Sequence, residues 1–73
     1  MHSDAAAMEI QINGEPRTVR ADSTLPELLD ALQLPAQAVL VEHNGVALFR
    51  HDWPTIQLAA GDRLEIIRIV AGG

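Results

Sequence analysis

Apolar and polar residues alternate with period two near the start of the chain, which is the pattern of a half-buried β-strand. The alternation covers residues 8–12 and resumes over residues 17–21. Between these stretches lies Asn13-Gly14, a pair that favours a two-residue hairpin turn because both residues tolerate positive φ. Pro16 lacks a backbone N–H, so it fits the beginning of the return strand but not its middle. The pattern predicts an antiparallel hairpin.

The next segment has helical periodicity and a defined start. Thr24 and Glu27 have the spacing of a capping box, in which each side chain bonds to the other residue's backbone N–H. Four leucines then lie at the i, i+3, i+4 and i+7 positions and form one apolar stripe: Leu25, Leu28, Leu29 and Leu32. Pro35 is expected to end the helix just after Leu34. The segment predicts the chain's single helix, with its stripe on a sheet.

The middle of the chain predicts a second hairpin. An apolar run at residues 38–41 indicates a buried strand. A second Asn-Gly pair, at residues 44–45, turns the chain into a further strand at residues 46–49.

The last third begins irregularly and ends in a strand. Within residues 50–58, Trp53 is interpreted as a partly buried cap on the core, and residues 55–57 as a short edge strand. Residues 60–62 predict a turn, and residues 64–70 the last and most apolar strand.

The predicted order is hairpin, helix, two or three strands and a final strand. With 73 residues and one helix, only one face of the sheet can be covered. The right-handed crossover rule places the helix across that face, with the last strand central and beside the first. This predicts an α+β fold of the β-grasp (ubiquitin-like) class, with a mixed four- to five-stranded sheet on one helix. We expect a disordered lead at residues 1–7, the domain at residues 8–70 and a flexible tail at residues 71–73.

Composition and charge exclude several classes of function. The net charge is −5, so nucleic acid is not an expected partner, because phosphate binding needs clustered positive charge. The acidic surface suits either attraction to a basic partner or simple solubility. Without cysteine there is no disulfide, thiol nucleophile or cysteine-bound metal. Since no signal peptide or membrane-spanning run is visible, we expect a soluble cytoplasmic protein with no membrane partner.

Gly72 and Gly73, at the end of the sequence, carry the candidate chemistry. Glycine has no side chain to block a narrow channel, so such a tail can enter another protein and present a carboxylate there. A carboxylate reacts only after activation, and adenylation by ATP is the obvious route. The alternative is an end that simply frays. The fold context favours the first interpretation, with Gly73 bearing the reactive group and Gly72 small enough for entry.

A second candidate feature is an apolar surface beside the tail. Leu64 and Ile66 set the inward phase of the last strand, so Ile67 and Ile69 are expected on the open face of the sheet. Together with Phe49 from the neighbouring strand, they predict a docking surface for a partner. The alternative is a bulge or a register shift that buries both isoleucines.

The titratable side chains predict no further site. The histidines, His2, His43 and His51, lack metal-ligand spacing, so we interpret them as solvated and expect no metal. Asp62 follows Gly61 and is expected to bond to the backbone of its own turn. No nucleophile with a convergent acid and base is visible, so the chain is not expected to be an enzyme.

Three segments carry a resemblance to a known family. Residues 10–17 (IQINGEPR) are similar to that family's opening hairpin, and residues 41–45 (VEHNG) to its central turn. Residues 61–67 (GDRLEII) and the closing 71–73 (AGG) match its end, and Trp53 falls where the family often has a tryptophan. On these segments, essentially over residues 8–73, the chain resembles the ThiS family of ubiquitin-like sulfur carriers. The seven-residue lead is the departure from the family pattern.

The resemblance implies a recyclable co-substrate of thiamine biosynthesis. A ThiF-type adenylyltransferase would adenylate the Gly73 carboxylate with ATP and Mg²⁺. Sulfur from a persulfide, usually supplied through a cysteine desulfurase, would then displace AMP and leave a thiocarboxylate. A ThiG-type thiazole synthase would accept that sulfur while it builds the thiazole ring, and the carrier itself would bind no cofactor. Three alternatives stay open: a MoaD-like small subunit of molybdopterin synthase, a ubiquitin-like protein modifier, and a passive interaction domain.

Overall fold

The computed structural model describes residues 6–69, which form a mixed five-stranded sheet with one α-helix packed on one face. The strands are β1 Ala7–Ile12, β2 Glu15–Arg20, β3 Val39–His43, β4 Val46–Leu48 and β5 Arg63–Arg68, and the helix is α1 Leu25–Ala31. The order across the sheet is β2-β1-β5-β3-β4. β1 and β5 run parallel, whereas the other neighbouring strands are antiparallel. The predicted architecture is confirmed, with the last strand central and beside the first.

Both Asn-Gly pairs form the predicted tight turns. The first pair has φ values of 53° and 83°, and the second has 52° and 86°. Positive φ at both central residues is the type I′ geometry, whose twist matches that of the flanking strands. The β1–β2 register then pairs Ile12 with Glu15 directly across the turn. β1 begins at Ala7, one residue before the predicted start.

The helix starts where the capping box predicts it. The Thr24 hydroxyl accepts a hydrogen bond from the Glu27 N–H at 3.3 Å, and the Glu27 carboxylate accepts one from the Thr24 N–H at 3.0 Å. The predicted end at Leu34 is wrong, because α1 stops at Ala31. Gln33 takes the left-handed conformation with φ 61°, and Leu34 N–H then bonds back to Leu29. This is a Schellman cap with glutamine in the place usually taken by glycine.

The core lies between α1 and the inner face of the sheet. The leucine stripe contributes three buried residues, and Leu32 is partly buried against them. Each fully buried leucine contributes about 2 kcal/mol of hydrophobic stabilisation. The buried apolar residues of the described chain are Ile10, Ile12, Leu25, Leu28, Leu29, Val39, Val41, Trp53, Leu58, Leu64 and Ile66.

The stretch between β4 and β5 differs from the prediction. A 3-10 helix, Arg50–Thr55, occupies most of it and buries Trp53 fully, to 3% exposure, so Trp53 is a core residue and not a partly buried cap. The predicted edge strand at residues 55–57 is wrong. Gln57 makes only an isolated bridge to Thr24. A second short 3-10 helix, Ala36–Ala38, precedes β3.

The predicted domain limits stay predictions at both ends. Residues 1–5 and 70–73 lie outside the described residues, and Ala7, expected in the lead, belongs to β1.

Candidate functional site

The last strand holds the attachment point of the predicted reactive tail. β5 is central, paired with β1 on one side and β3 on the other. Hydrogen bonding to the β3 side continues past the strand, since the Ile69 N–H donates to the Ala38 carbonyl at 2.8 Å. The chain is therefore fixed in position as far as Ile69. Gly72 and Gly73 lie outside the described residues, and their roles stay predictions.

The open face of the sheet carries exposed apolar residues close to this point. Ile67 is 48% exposed and Ile69 is 46% exposed. Their inward neighbours on the same strand are buried, so β5 keeps a regular alternation. The predicted exposure of the two isoleucines is confirmed, and the alternative of a bulge or register shift that buries them is wrong.

Leu40 joins this surface, although the sequence predicted a buried strand at residues 38–41. It is 55% exposed and lies directly opposite Ile67 in the β3–β5 register. Directly opposed residues on one sheet face have Cβ atoms about 5 Å apart, so the two side chains are neighbours. The missed signal was the period of two, because Val39 and Val41 point inward and leave Leu40 on the other face.

Phe49 is exposed to 71%, but it is not on a strand that neighbours β5. β4 ends at Leu48, and β3 lies between β4 and β5. Continuing the β3–β4 register by one residue from the Val41–Leu48 pair places Phe49 beside Leu40. Its ring stacks on that of His51, with centroids 5.6 Å apart and planes 4° from parallel. We call Leu40, Phe49, Ile67 and Ile69 the apolar patch.

Two acidic residues border the apolar patch. Glu42 and Glu65 are directly opposite each other in the β3–β5 register, in the same outward phase as Leu40 and Ile67. Like charges placed opposite each other in a sheet repel and lower stability. The pair therefore makes this edge of the patch attractive to a cationic surface.

At the other end of β5, a polar cluster ties the β3–β4 turn to the turn that precedes β5. His43 Nε2 lies 2.7 Å from Asp62 Oδ2, and the Asn44 amide donates to Asp62 Oδ1 at 3.2 Å. The same Asp62 carboxylate accepts the Ala59 N–H at 2.9 Å, as predicted for its turn. The solvated interpretation of His43 is wrong, because its side chain is only 20% exposed and bonded to Asp62. His51, at 79%, is exposed as predicted.

Burial and hydrogen bonding act in opposite directions on the Asp62 carboxyl. Burial raises its pKa, but hydrogen bonds from His43, the Ala59 backbone and Asn44 stabilise the charged form more strongly. The pKa therefore lies below its ordinary value of 3.8. The cluster therefore stabilises the fold around an ionised Asp62, at the opposite end of β5 from the tail.

Asn13 supports the tail end of β5 in a way that the turn motif did not reveal. Its amide oxygen accepts the Ile66 N–H at 2.8 Å, and its amide nitrogen donates to the Ile66 carbonyl at 3.2 Å. The backbone ladder between β1 and β5 ends one step earlier, at the bond from Asn13 N–H to the Leu64 carbonyl. One side chain thus replaces a missing residue of β1 and extends the pairing towards the tail.

Two further features of the described residues bear on the class of protein. Among residues 6–69, no group of three or more potential metal-ligating side chains is close enough to hold a metal ion. Over the same range, no helix is both long and apolar enough to span a membrane.

Comparison with known proteins places this fold and sequence in one family. The ThiS family model matches residues 10–73. Sulfur carrier protein ThiS of Bacillus subtilis is 31% identical over 65 residues, covering 88% of this chain and 98% of that protein. A thiazole synthase of Magnetococcus marinus is 33% identical over 66 residues, or 90% of this chain. This chain spans only 20% of the length of that synthase.

The structural likeness agrees. The crystal structure of the thiamine biosynthesis protein ThiS from Geobacter metallireducens has a TM-score of 0.79 and 35% identity, covering 90% of this chain and 100% of that one. A computationally designed protein based on human erythrocytic ubiquitin shares the fold alone, with a TM-score of 0.54 at 20% identity. The matched family segment runs from Ile10 in β1 through Gly73 and includes β5, the apolar patch and the diglycine end. The chain therefore belongs to the ThiS family.

Proposed function

We propose that this chain is a sulfur carrier of thiamine biosynthesis, a protein co-substrate rather than an enzyme, and that its Gly73 carboxylate becomes a thiocarboxylate. The observation that carries the proposal is the family match, which extends through Gly73. The chain that leads to Gly73 is fixed in position as far as Ile69. Bacillus subtilis sulfur carrier protein ThiS, which this chain covers almost entirely, supports it.

The length of the tail limits where activation can occur. Gly73 is four residues beyond Ile69, and four residues span at most about 14 Å when fully extended. The adenylating centre of a partner must therefore come within that distance of the Ile69 backbone. Since Ile67 and Ile69 belong to the apolar patch, a partner that covers the patch brings its active site within reach of Gly73.

The reaction proceeds in three steps. A ThiF-type adenylyltransferase, which binds ATP and Mg²⁺ while this chain binds neither, joins AMP to the Gly73 carboxylate and releases pyrophosphate. The terminal sulfur of a persulfide, supplied through a cysteine desulfurase or similar donor, attacks the acyl carbon and expels AMP. A thiol then cleaves the resulting acyl disulfide, which leaves the thiocarboxylate and a new disulfide. The carrier contributes geometry and no acid or base.

The surface around the tail suits a partner that is apolar at its centre and basic at its margin. The apolar patch supplies the centre, and Glu42 and Glu65 supply negative charge beside it. Burying a few exposed aliphatic and aromatic side chains provides affinity, whereas the charge pair mainly affects orientation and association rate.

A ThiG-type thiazole synthase is the proposed acceptor of the sulfur. Thiazole synthases of Magnetococcus marinus and Paramagnetospirillum magneticum each contain a segment 33% identical to this chain over 66 residues. A carrier-like segment within the synthase's own chain keeps donor and acceptor together, since joining two modules raises their effective concentration.

The docking role of the apolar patch is tested with one substitution and a matched control. We expect Ile67→Asp to abolish thiocarboxylate formation while the circular dichroism spectrum and melting temperature stay near wild type, because the side chain is half exposed. Val46→Asp changes an exposed valine on β4, 62% exposed and outside the patch, and should leave the reaction intact. Equal activity of the two variants would contradict the docking role, and unfolding of Ile67→Asp would show a core residue.

The role of the tail is tested by reconstitution with a ThiF-type enzyme, a sulfur donor and a ThiG-type synthase. Deleting Gly73, or adding one alanine after it, should stop thiazole formation without changing the melting temperature. Thiazole formation by either variant would contradict the proposal. Covalent ladders on a denaturing gel, in place of thiazole, would identify a protein modifier instead.

A further inference from the structure

Among residues 6–69, no strand pairs with the outer edge of β2. β2 is the outermost strand on its side of the sheet. Glu9 accepts a hydrogen bond from the Gly61 N–H at 2.8 Å, so its peptide groups face β5 rather than β2. Thr18 is opposite Glu9 in the register and therefore directs both its N–H and its C=O away from β1, to the open edge. Pro16, two residues earlier, offers only a carbonyl there.

A groove runs beside this edge, between β2 and α1. Its volume is about 380 Å³, and its apolar lining includes Val19, Leu28 and Leu32. Two arginines, Arg17 and Arg20, also line it. An unpaired strand edge beside an apolar floor is the arrangement that an extended peptide uses when it adds to a sheet. The two arginines add positive charge to it.

The groove is positively charged, whereas the molecule as a whole is negatively charged. The chain has a net charge of −5 with five arginines or lysines in total. Arg17 and Arg20 line this groove, and Arg17 also lines an adjoining one of about 440 Å³ together with Arg68. Three of the five cationic residues therefore line these two adjoining grooves.

The groove keeps a net positive charge, because two arginines and one glutamate line it. The glutamate, Glu27, stays negatively charged while its carboxylate accepts the Thr24 N–H at 3.0 Å. Arg20 lies 3.6 Å from Asp22, and both side chains are mostly exposed. An exposed pair of this kind is weak, so a carboxylate from another molecule can replace Asp22.

We propose that the groove between β2 and α1 binds an acidic, extended segment of a partner protein. The segment pairs with the Thr18 N–H and C=O, places apolar side chains on Val19 and Leu28, and directs its carboxylates to Arg17 and Arg20. A second copy of this chain is a poorer occupant. Antiparallel pairing of two β2 edges around Thr18 would bring four arginines together.

This site is separate from the apolar patch. The patch lies on the open face at β5 and β3, whereas the groove lies on the helix side at the edge formed by β2. Both can be occupied at once, so an acidic segment in the groove can tether a protein whose active site is acting on the tail.

The test uses two synthetic peptides with the same apolar centre, DDVIVIDD and KKVIVIKK, added to the ¹⁵N-labelled chain. With the acidic peptide we expect amide shifts at Thr18, Val19 and Leu28 that weaken with added salt. The lysine peptide should give none. Arg17→Gln combined with Arg20→Gln should weaken binding about fivefold, the size expected for two exposed ion pairs.

Two further variants test whether binding depends on the groove itself and on the backbone N–H of Thr18. Arg63→Gln removes an exposed arginine outside the groove and should leave peptide binding unchanged. Thr18→Pro removes the N–H that faces the open edge but leaves the β1 pairing intact, so it should weaken peptide binding. Absence of shifts, shifts confined to the apolar patch, or equal binding of both peptides would each overturn the proposal. Concentration-dependent dimerisation of the free chain in sedimentation equilibrium, lost in Thr18→Pro, would identify a second copy as the occupant.

Discussion

Replacing Asn13 by glycine should destabilise the protein at the end of β5 without disturbing the turn in which Asn13 lies. Glycine adopts the positive φ of this position, 53°, at no steric cost, so the type I′ turn remains. What is lost is the amide that bonds to both polar backbone groups of Ile66, at 2.8 Å and 3.2 Å. Since Ile66 is only 8% exposed, water replaces these bonds poorly.

The expected magnitude follows from those two bonds. A typical intramolecular hydrogen bond contributes about 1 kcal/mol net, and leaving a buried partner unpaired costs more. We therefore expect Asn13→Gly to lower the free energy of unfolding by about 2 kcal/mol. For a domain of this size, that corresponds to a fall in melting temperature of about 10 °C. Asn13→Asp keeps the acceptor but replaces the donor, so it should cost about half as much.

The assay is urea denaturation followed by circular dichroism, with amide hydrogen exchange as a local readout. In Asn13→Gly the amide of Ile66 should lose protection more than those of Val39 and Val41. Asn44→Gly supplies the comparison, since Asn44 has the same turn geometry but its bonds, from the Arg63 N–H and to Asp62, are both exposed. Equal stability of the three proteins, wild type, Asn13→Gly and Asn13→Asp, would refute the reasoning, as would an effect of Asn44→Gly larger than that of Asn13→Gly.

Three other substitutions have defined outcomes. Gln33→Gly should raise the unfolding free energy by about 0.5–1 kcal/mol in urea titrations, because Gln33 holds a left-handed conformation that glycine adopts freely, and a loss would contradict the cap assignment. The lowered pKa of Asp62 means that its ionised form stabilises the fold above the ordinary carboxyl pKa of 3.8, and that this contribution is lost as pH falls through the lower folded-state value. The stability difference between wild type and Asp62→Asn should therefore shrink as urea titrations are repeated from about pH 6 to about pH 2, and a constant difference would disprove the linkage. Gly72→Val should block adenylation, measured as pyrophosphate release, with no change in melting temperature; release at the wild-type rate would contradict the threading role.

The elements with local sequence signals were predicted well. The two Asn-Gly pairs, the capping box at Thr24 and Glu27, and the period-two alternation in β1 and β5 each depend on residues close together in sequence. Their physical causes, positive φ, orphan N–H groups and the pleat of a strand, act within a few residues. The chemistry of the tail was predicted from the family resemblance, because the packing of the fold gives no information about it.

The features that were missed depend on contacts between residues distant in sequence, or on a local conformation that the residue type does not indicate. Asn13 bonds to Ile66, 53 residues away, and His43 meets Asp62, 19 residues away, only because the sheet order brings them together. Leu40 is exposed inside an apolar run whose composition alone indicated burial. The helix end at Gln33 was set by a left-handed cap that glycine would have signalled and glutamine did not.

The most direct test of the carrier function is the intact mass of the chain before and after incubation with ATP, Mg²⁺, a ThiF-type enzyme and a sulfur source. The proposal predicts a gain equal to sulfur replacing oxygen, located in the peptide that ends at Gly73. An unchanged mass, with an enzyme shown to be active on another carrier, would contradict the sulfur-carrier function while leaving the fold and the ThiS family membership in place.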